Sequence, residues 1–220
     1  MFINNWYAAC IGAELGQSPI RIRMLDCDFV LFRDRAGRAH CLSDACCHRG
    51  ASLAAGQRRD DLLICPQHGW EFEASGRCVR VPAGLEDPAA PPRKARVPAY
   101  PVDERYGLVF VFLGDLPEAE RPQLRDLLPE YGDPDRWHVG ILARRTDVNY
   151  VRMAENYNDP CHVHYVHEFA KWLPKGVTIE TLELTGTYVK AFHAAWDAQG
   201  NTSPDRGLLM EFDVVGMVSR

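Results

Sequence analysis

The chain has 220 residues, of which 46% are hydrophobic and 25% charged, and its formal net charge is −5. That is the composition of an ordinary globular protein of one or two domains, and it argues against nucleic acid as the main partner, because a phosphate backbone calls for a basic face. Residues 1–16 lack a basic start and a sustained apolar run, and no stretch approaches the roughly 20 apolar residues of a membrane-spanning helix, so a cytoplasmic protein with no membrane contact is expected.

Short apolar or alternating runs fill the first half, at residues 20–25, 29–33, 62–65, 69–73 and 108–113. Turn formers separate them, at Asp34-Arg35-Ala36-Gly37 and Ala74-Ser75-Gly76. Strands this short and this spaced predict an all-β, sandwich-like domain over residues 1–115. The proline-rich stretch 81–101 reads as an ordered loop with one edge strand around Val97. From Gly114 to Arg136 the chain turns to Pro, Glu, Asp and Arg, with a short helix expected at 123–128, and residues 116–137 are read as a linker. A helix is predicted from Asp147 to about His167, followed by β-like runs at 177–196 and 208–218. Residues 138–220 therefore read as a second, α+β domain.

There are eight cysteines. In a chain of this size without a secretory leader, metal ligation or simple burial is expected rather than a disulfide framework. Cys10, Cys27, Cys41 and Cys78 stand in no motif and are expected to be small buried residues. The remainder of the signal lies in two loops, Cys46-Cys47-His48 and Cys65-Pro66-Gln67-His68. Two such loops at one end of a small β-domain bring two thiolates and two imidazoles together. That donor set suits either zinc or an iron–sulfur cluster of the type that splits cysteines and histidines between its two irons.

A second concentration of chemistry runs from Glu155 to His167, with His162, His164 and His167 inside six residues. Two histidines and one carboxylate make the facial triad that holds Fe(II) and leaves positions open for O2. Glu155, Asp159 and His162 share one helical face, whereas His162 and His167 stand about 140° apart on an ideal helix. They converge only if the helix bends or ends between them. Periodicity alone favours His164 with His167.

The flanks of these motifs carry a resemblance. Cys46-Cys47-His48-Arg49-Gly50-Ala51 and Cys65-Pro66-Gln67-His68-Gly69-Trp70 resemble the two cluster-binding loops of Rieske non-haem iron oxygenases. Cys47 departs from the family, which usually has proline there. Respiratory Rieske proteins carry an extra disulfide across these loops, but the equivalent positions here are Ala51 and Gln67. The run from Glu155 to His167 resembles the Glu-Asn-x-x-Asp-x-x-His-x-x-x-x-His signature of the family's catalytic domain. Asn4-Asn5-Trp6-Tyr7 and Tyr106-Gly107-Leu108-Val109-Phe110-Val111 are also similar, the former resembling the vanillate demethylase and pheophorbide a oxygenase-like group.

The resemblance implies an α subunit of a ring-hydroxylating oxygenase. Cys46, His48, Cys65 and His68 would hold a [2Fe-2S] cluster, His162 and His167 a mononuclear Fe(II), and Asp159 would bridge the two metal sites. The second domain would be the truncated first portion of a helix-grip α+β catalytic domain. The family's third iron ligand lies further along a longer chain, so it stays unassigned, although Glu168, Asp197, Asp205, Glu211 and Asp213 are available. The implied partners are a ferredoxin or flavin reductase, O2, a small organic substrate and two further copies in a homotrimer. Trp137, Tyr157, Phe169 and Trp172 are candidates for a substrate pocket, with core packing the more ordinary role. A Rieske ferredoxin-type electron carrier and a zinc-stabilised binding module are the alternative functions.

Overall fold

A computed structural model of the chain describes residues 3–82, 91–124, 129–140, 146–157, 159, 162–168, 177–184, 188–196, 202–213 and 216–219. The chain forms two compact units, Met1–Gln123 and Leu124–Arg220, and the division falls inside the stretch read as a linker.

The first unit is built on three antiparallel sheets. β1 (Asn5–Ile11), β11 (Leu108–Leu113) and β10 (Val102–Arg105) make one, in the order β1-β11-β10. The second is β2 (Ile20–Met24), β3 (Cys27–Arg33), β4 (Ala39–Ser43) and β9 (Ala99–Tyr100). The third is β5 (Gln57–Arg59), β6 (Leu62–Ile64), β7 (Glu71–Phe72) and β8 (Cys78–Arg80). The two segments of family resemblance at the start and end of this unit are hydrogen-bonded neighbours, Trp6 opposite Phe112 and Tyr7 opposite Val111.

β3 is the spine. Successive side chains of a strand point to opposite faces, and here both faces are covered. Phe29 and Leu31 enter one core with Cys41, Val109 and Val111. Val30 and Phe32 enter the other with Leu42, Leu53, Leu63 and Phe72, and that second core also contains Cys46 and Cys65. The unbroken run Phe29-Val30-Leu31-Phe32 is therefore the pattern of a strand buried on both sides. Arg33 ends it as a hub. Its guanidinium donates to the carbonyls of Leu15 (2.8 Å), Gly12 (2.9 Å) and Gly37 (2.6 Å) and grips both oxygens of Glu104.

In the second unit, α1 (Tyr150–Tyr157) and α2 (Val163–Val166) are followed by an antiparallel sheet of β12 (Val177–Leu184), β13 (Tyr188–Trp196), β14 (Thr202–Asp213) and β15 (Gly216–Ser219). The single helix expected over 147–167 is thus two. Asp159 is non-helical and precedes Pro160, and a proline disfavours helical geometry in the residue before it and removes a backbone donor. The core role expected for Trp137 and Tyr157 is also corrected, since they are 49% and 60% exposed. Phe169, Trp172 and most of the helix expected at 123–128 lie outside the described residues. Cys27 is exposed at the start of β3, whereas Cys41 and Cys78 are buried as expected and Cys10 is half-buried.

The two-sided spine has a direct consequence. Leu31→Ala and Phe32→Ala should each destabilise the protein by about 3 kcal/mol in chemical unfolding, because both side chains are fully buried on opposite faces. A sheet with one wet face would tolerate one of the two substitutions.

Candidate metal centres

The two Cys-His loops share one backbone design. Cys46 N–H donates to Ala51 O (2.9 Å) and Gly50 N–H returns to Cys46 O (2.8 Å). In the second loop Cys65 N–H donates to Trp70 O (2.8 Å) and Gly69 N–H returns to Cys65 O (3.0 Å). Each closes a knuckle whose glycine has a left-handed φ, +73° at Gly50 and +71° at Gly69, which glycine adopts without a Cβ penalty. By position, Cys47 corresponds to Pro66, while His48 and His68 fall one place apart. The second knuckle caps the β6–β7 hairpin, where Ile64 pairs with Glu71. The first hangs from the end of β4 and is clamped at its base by Asp44, which is only 4% exposed. Its carboxylate accepts the Ala54 N–H (2.7 Å) and the Ser52 hydroxyl (2.7 Å).

The knuckles sort the donors two by two. Cys46 and Cys65 are buried together in one core. Burial raises the Cys46 thiol well above the ordinary cysteine range, and Cys65 beside it adds to that, against a lowering hydrogen bond from the His48 backbone. Cys47 is exposed, so Cys46 is the thiol that meets Cys65. The His48 and His68 rings stand 4.7 Å apart between centroids at 66°. Partial desolvation, with His68 and Arg49 nearby, lowers the His48 imidazole and so favours its neutral, metal-binding form. His68 Nδ1 is buried with no hydrogen-bond partner, the state of a nitrogen shaped to meet a metal.

A [2Fe-2S] group of the Rieske type fits this donor set: two thiols to one iron and two imidazoles to the other. A single zinc ion needs all four donors around one point. Among the described residues no three His, Cys, Asp or Glu side chains close on one ion. The seven described cysteines are all free.

In the second unit His162 precedes α2 and His167 follows it, with His167 already extended at φ −100° and ψ 122°. One helical turn flanked in this way brings the rings to 5.4 Å. His162 and His167, the pair that the family resemblance implies, thus have their rings in contact. The side chain of His164 lies outside the described ones. The Asp159 carboxylate is 3.6 Å from His162 Nδ1, a buried nitrogen with no hydrogen-bond partner. These residues fit a two-histidine iron site with a carboxylate behind one imidazole, and no third protein ligand is assigned. Sequence reasoning passed over the Asp44 clamp, signalled by Ser43-Asp44 ahead of the first loop. It also passed over Trp70, whose indole stacks on His48 at 4.6 Å and 4°.

The Rieske [2Fe-2S] domain family matches residues 5–101. The phenoxybenzoate dioxygenase α subunit of Ectopseudomonas oleovorans is 35% identical over 171 residues, which is 76% of this chain and 39% of that protein. The chain carries a Rieske [2Fe-2S] domain and is similar to oxygenase subunits. The dicamba O-demethylase oxygenase component of Stenotrophomonas maltophilia is 36% identical, covering 74% of this chain and 47% of its own. The vanillate O-demethylase oxygenase subunit of Pseudomonas sp. (strain HR199 / DSM 7063) is 34% identical, covering 74% and 44%. Dicamba monooxygenase bound to dicamba superposes with a TM-score of 0.74 at 26% identity over 98% of this chain and 65% of that one. A further dicamba monooxygenase structure, with non-heme iron and dicamba, shares the fold at a TM-score of 0.71 and 23% identity, over 98% of this chain and 64% of that one. The chain spans about two fifths to half the length of these curated relatives. No helix among its described residues is long and apolar enough to cross a membrane.

The clamp yields a test. Asp44→Ala strands the half-buried Ala54 N–H and Ser52 hydroxyl, and should destabilise the first unit by about 1–2 kcal/mol in chemical unfolding. An unchanged midpoint would mean that the knuckle is held by its own backbone bonds alone.

Proposed function

We propose that this chain is the oxygenase component of a Rieske mono- or dioxygenase that hydroxylates or oxidatively demethylates an aromatic or polycyclic substrate. The observation that carries the proposal is the pairing of His162 with His167, with Asp159 behind His162, on a chain that also bears a Rieske domain. A Rieske ferredoxin would leave that group without a task, and a zinc module would leave the separate thiol and imidazole pairs unexplained. When bound, the [2Fe-2S] cluster supplies single electrons from a ferredoxin or flavin reductase, and the Fe(II) supplies O2 activation.

The chain's own residues divide the work. Cys46 and Cys65 would hold one iron of the cluster, and His48 and His68 the other. His162 and His167 would hold the mononuclear iron, a two-histidine set that leaves positions open for O2. Asp159, 3.6 Å from His162 Nδ1, would steady that ring once iron is bound and reach toward His68 of a neighbouring subunit in a homotrimer, a closed heterologous ring. Similarity to dicamba and vanillate O-demethylases supports an aromatic substrate and O-demethylation as one of the activities.

Two variants test this. His68→Cys replaces a neutral ligand by a thiolate, adds negative charge to the cluster, and should lower its reduction potential toward the all-cysteine range near −400 mV, roughly. An unmoved potential would take His68 out of the ligand set. Asp159→Asn keeps the size and should leave both metals bound while slowing single-turnover electron transfer from cluster to iron by about 10- to 100-fold. Wild-type single-turnover rates in that variant, or full activity as a strict monomer, would remove the bridge between subunits.

A further inference from the structure

The two cluster histidines are held in unlike ways. His68 is half-buried, with one ring nitrogen sealed inside the unit. His48 is exposed, at the third place of a short loop, where an imidazole on two rotatable bonds has a choice of rotamers. What meets the face of His48 is Trp70, with ring centroids 4.6 Å apart and planes within 4° of parallel. His68 meets His48 with its edge, at 66°.

Trp70 is itself anchored at several points. Its carbonyl receives the Cys65 N–H at 2.8 Å, the bond that closes the second knuckle. Its side chain packs on the core that contains Cys46 and Cys65. The next residue, Glu71, is buried, and its carboxylate is gripped by Arg59 and Arg80 at 3.0 Å each. The indole is thus a rigid plane belonging to one knuckle and laid against the ligand of the other.

We propose that Trp70 is a positioning residue: it fixes the plane of the His48 imidazole for the cluster and covers one face of that ligand from water. The inference rests on the cluster assignment made above. Offset stacking of two aromatic planes, worth the equivalent of a few-fold in an equilibrium, is spent on one ligand of the four. The effect of losing it is therefore confined to one histidine.

The test uses the purified protein with its cluster, compared as wild type, Trp70→Leu and Trp70→Phe. Pulsed EPR of the reduced protein resolves the couplings of the two histidine nitrogens, and a chelator challenge measures cluster loss. In Trp70→Leu one of the two nitrogen couplings should shift or broaden while the other stays. Cluster loss should quicken by about two- to tenfold, from the size of an aromatic pair. Trp70→Phe, which keeps a flat ring, should restore the coupling and most of the lifetime. If Trp70→Leu fails to fold, Trp70→Met carries the same expectation. Wild-type couplings in the Leu or Met variant overturn the positioning role, as does equal disturbance of both nitrogens, which would mark a general loosening. A wild-type protein without nitrogen-coupled [2Fe-2S] signals overturns the cluster assignment itself, a different failure from an unperturbed variant.

Discussion

Everything at the first metal centre depends on one repeated backbone closure, a glycine N–H returned to the carbonyl of the cysteine four residues earlier. Gly50 does this for Cys46 and Gly69 for Cys65. The closure makes a loop too short to wander, and it turns each cysteine inward while its histidine stays toward the outside. The sheets then need only set the two loops side by side. β3 does so by burying both of its faces, so that the core behind Phe32 is also the core around Cys46 and Cys65. Burial holds the Cys46 thiol protonated far into the alkaline range. Cluster binding must displace that proton, so cofactor assembly, proton release and packing of this core are linked.

The second site is made by different means. Here His162 and His167 stand at the two ends of one short helix. Asp159 lies ahead of Pro160, where helical geometry is disfavoured, and the helix restarts for a single turn with the two histidines at its ends. The same interruption places the Asp159 carboxylate against His162 Nδ1. One dipeptide thus breaks the helix, pairs the rings and supplies the group behind one of them. An enzyme reading needs both sites, and the two sites are encoded at different levels, one tertiary and one local.

Much of this was legible in the sequence because it is written in short-range signals. The spacing of Cys46 to His48 and Cys65 to His68 marks the knuckles, and the glycines that follow mark their closure. The run from Leu108 to Leu113 reads as a strand and is one, with every residue from Val109 to Leu113 buried. What escaped is what tertiary context decides. β5, Gln57-Arg58-Arg59, has no apolar pattern and exists because β6 pairs with it. β1 was read only as a family signature, since Asn5 and Trp6 become a strand through pairing with β11. Asp44 looks like a surface aspartate until Ala54 and Ser52 fold back onto it. The interruption at Asp159-Pro160 was not read, because the three-and-four spacing of Glu155, Asp159 and His162 pointed to a continuous helix.

Elemental and sulfide analysis of the anaerobically purified protein, read together with the EPR of its reduced form, tests the central claim most directly. The account predicts iron and acid-labile sulfide in the equal proportions of a [2Fe-2S] cluster, with any iron in excess belonging to the His162–His167 site. It also predicts an EPR signal that vanishes when Cys46 or Cys65 is replaced by serine. Stoichiometric zinc without sulfide would contradict it, as would a cluster that survives loss of Cys65.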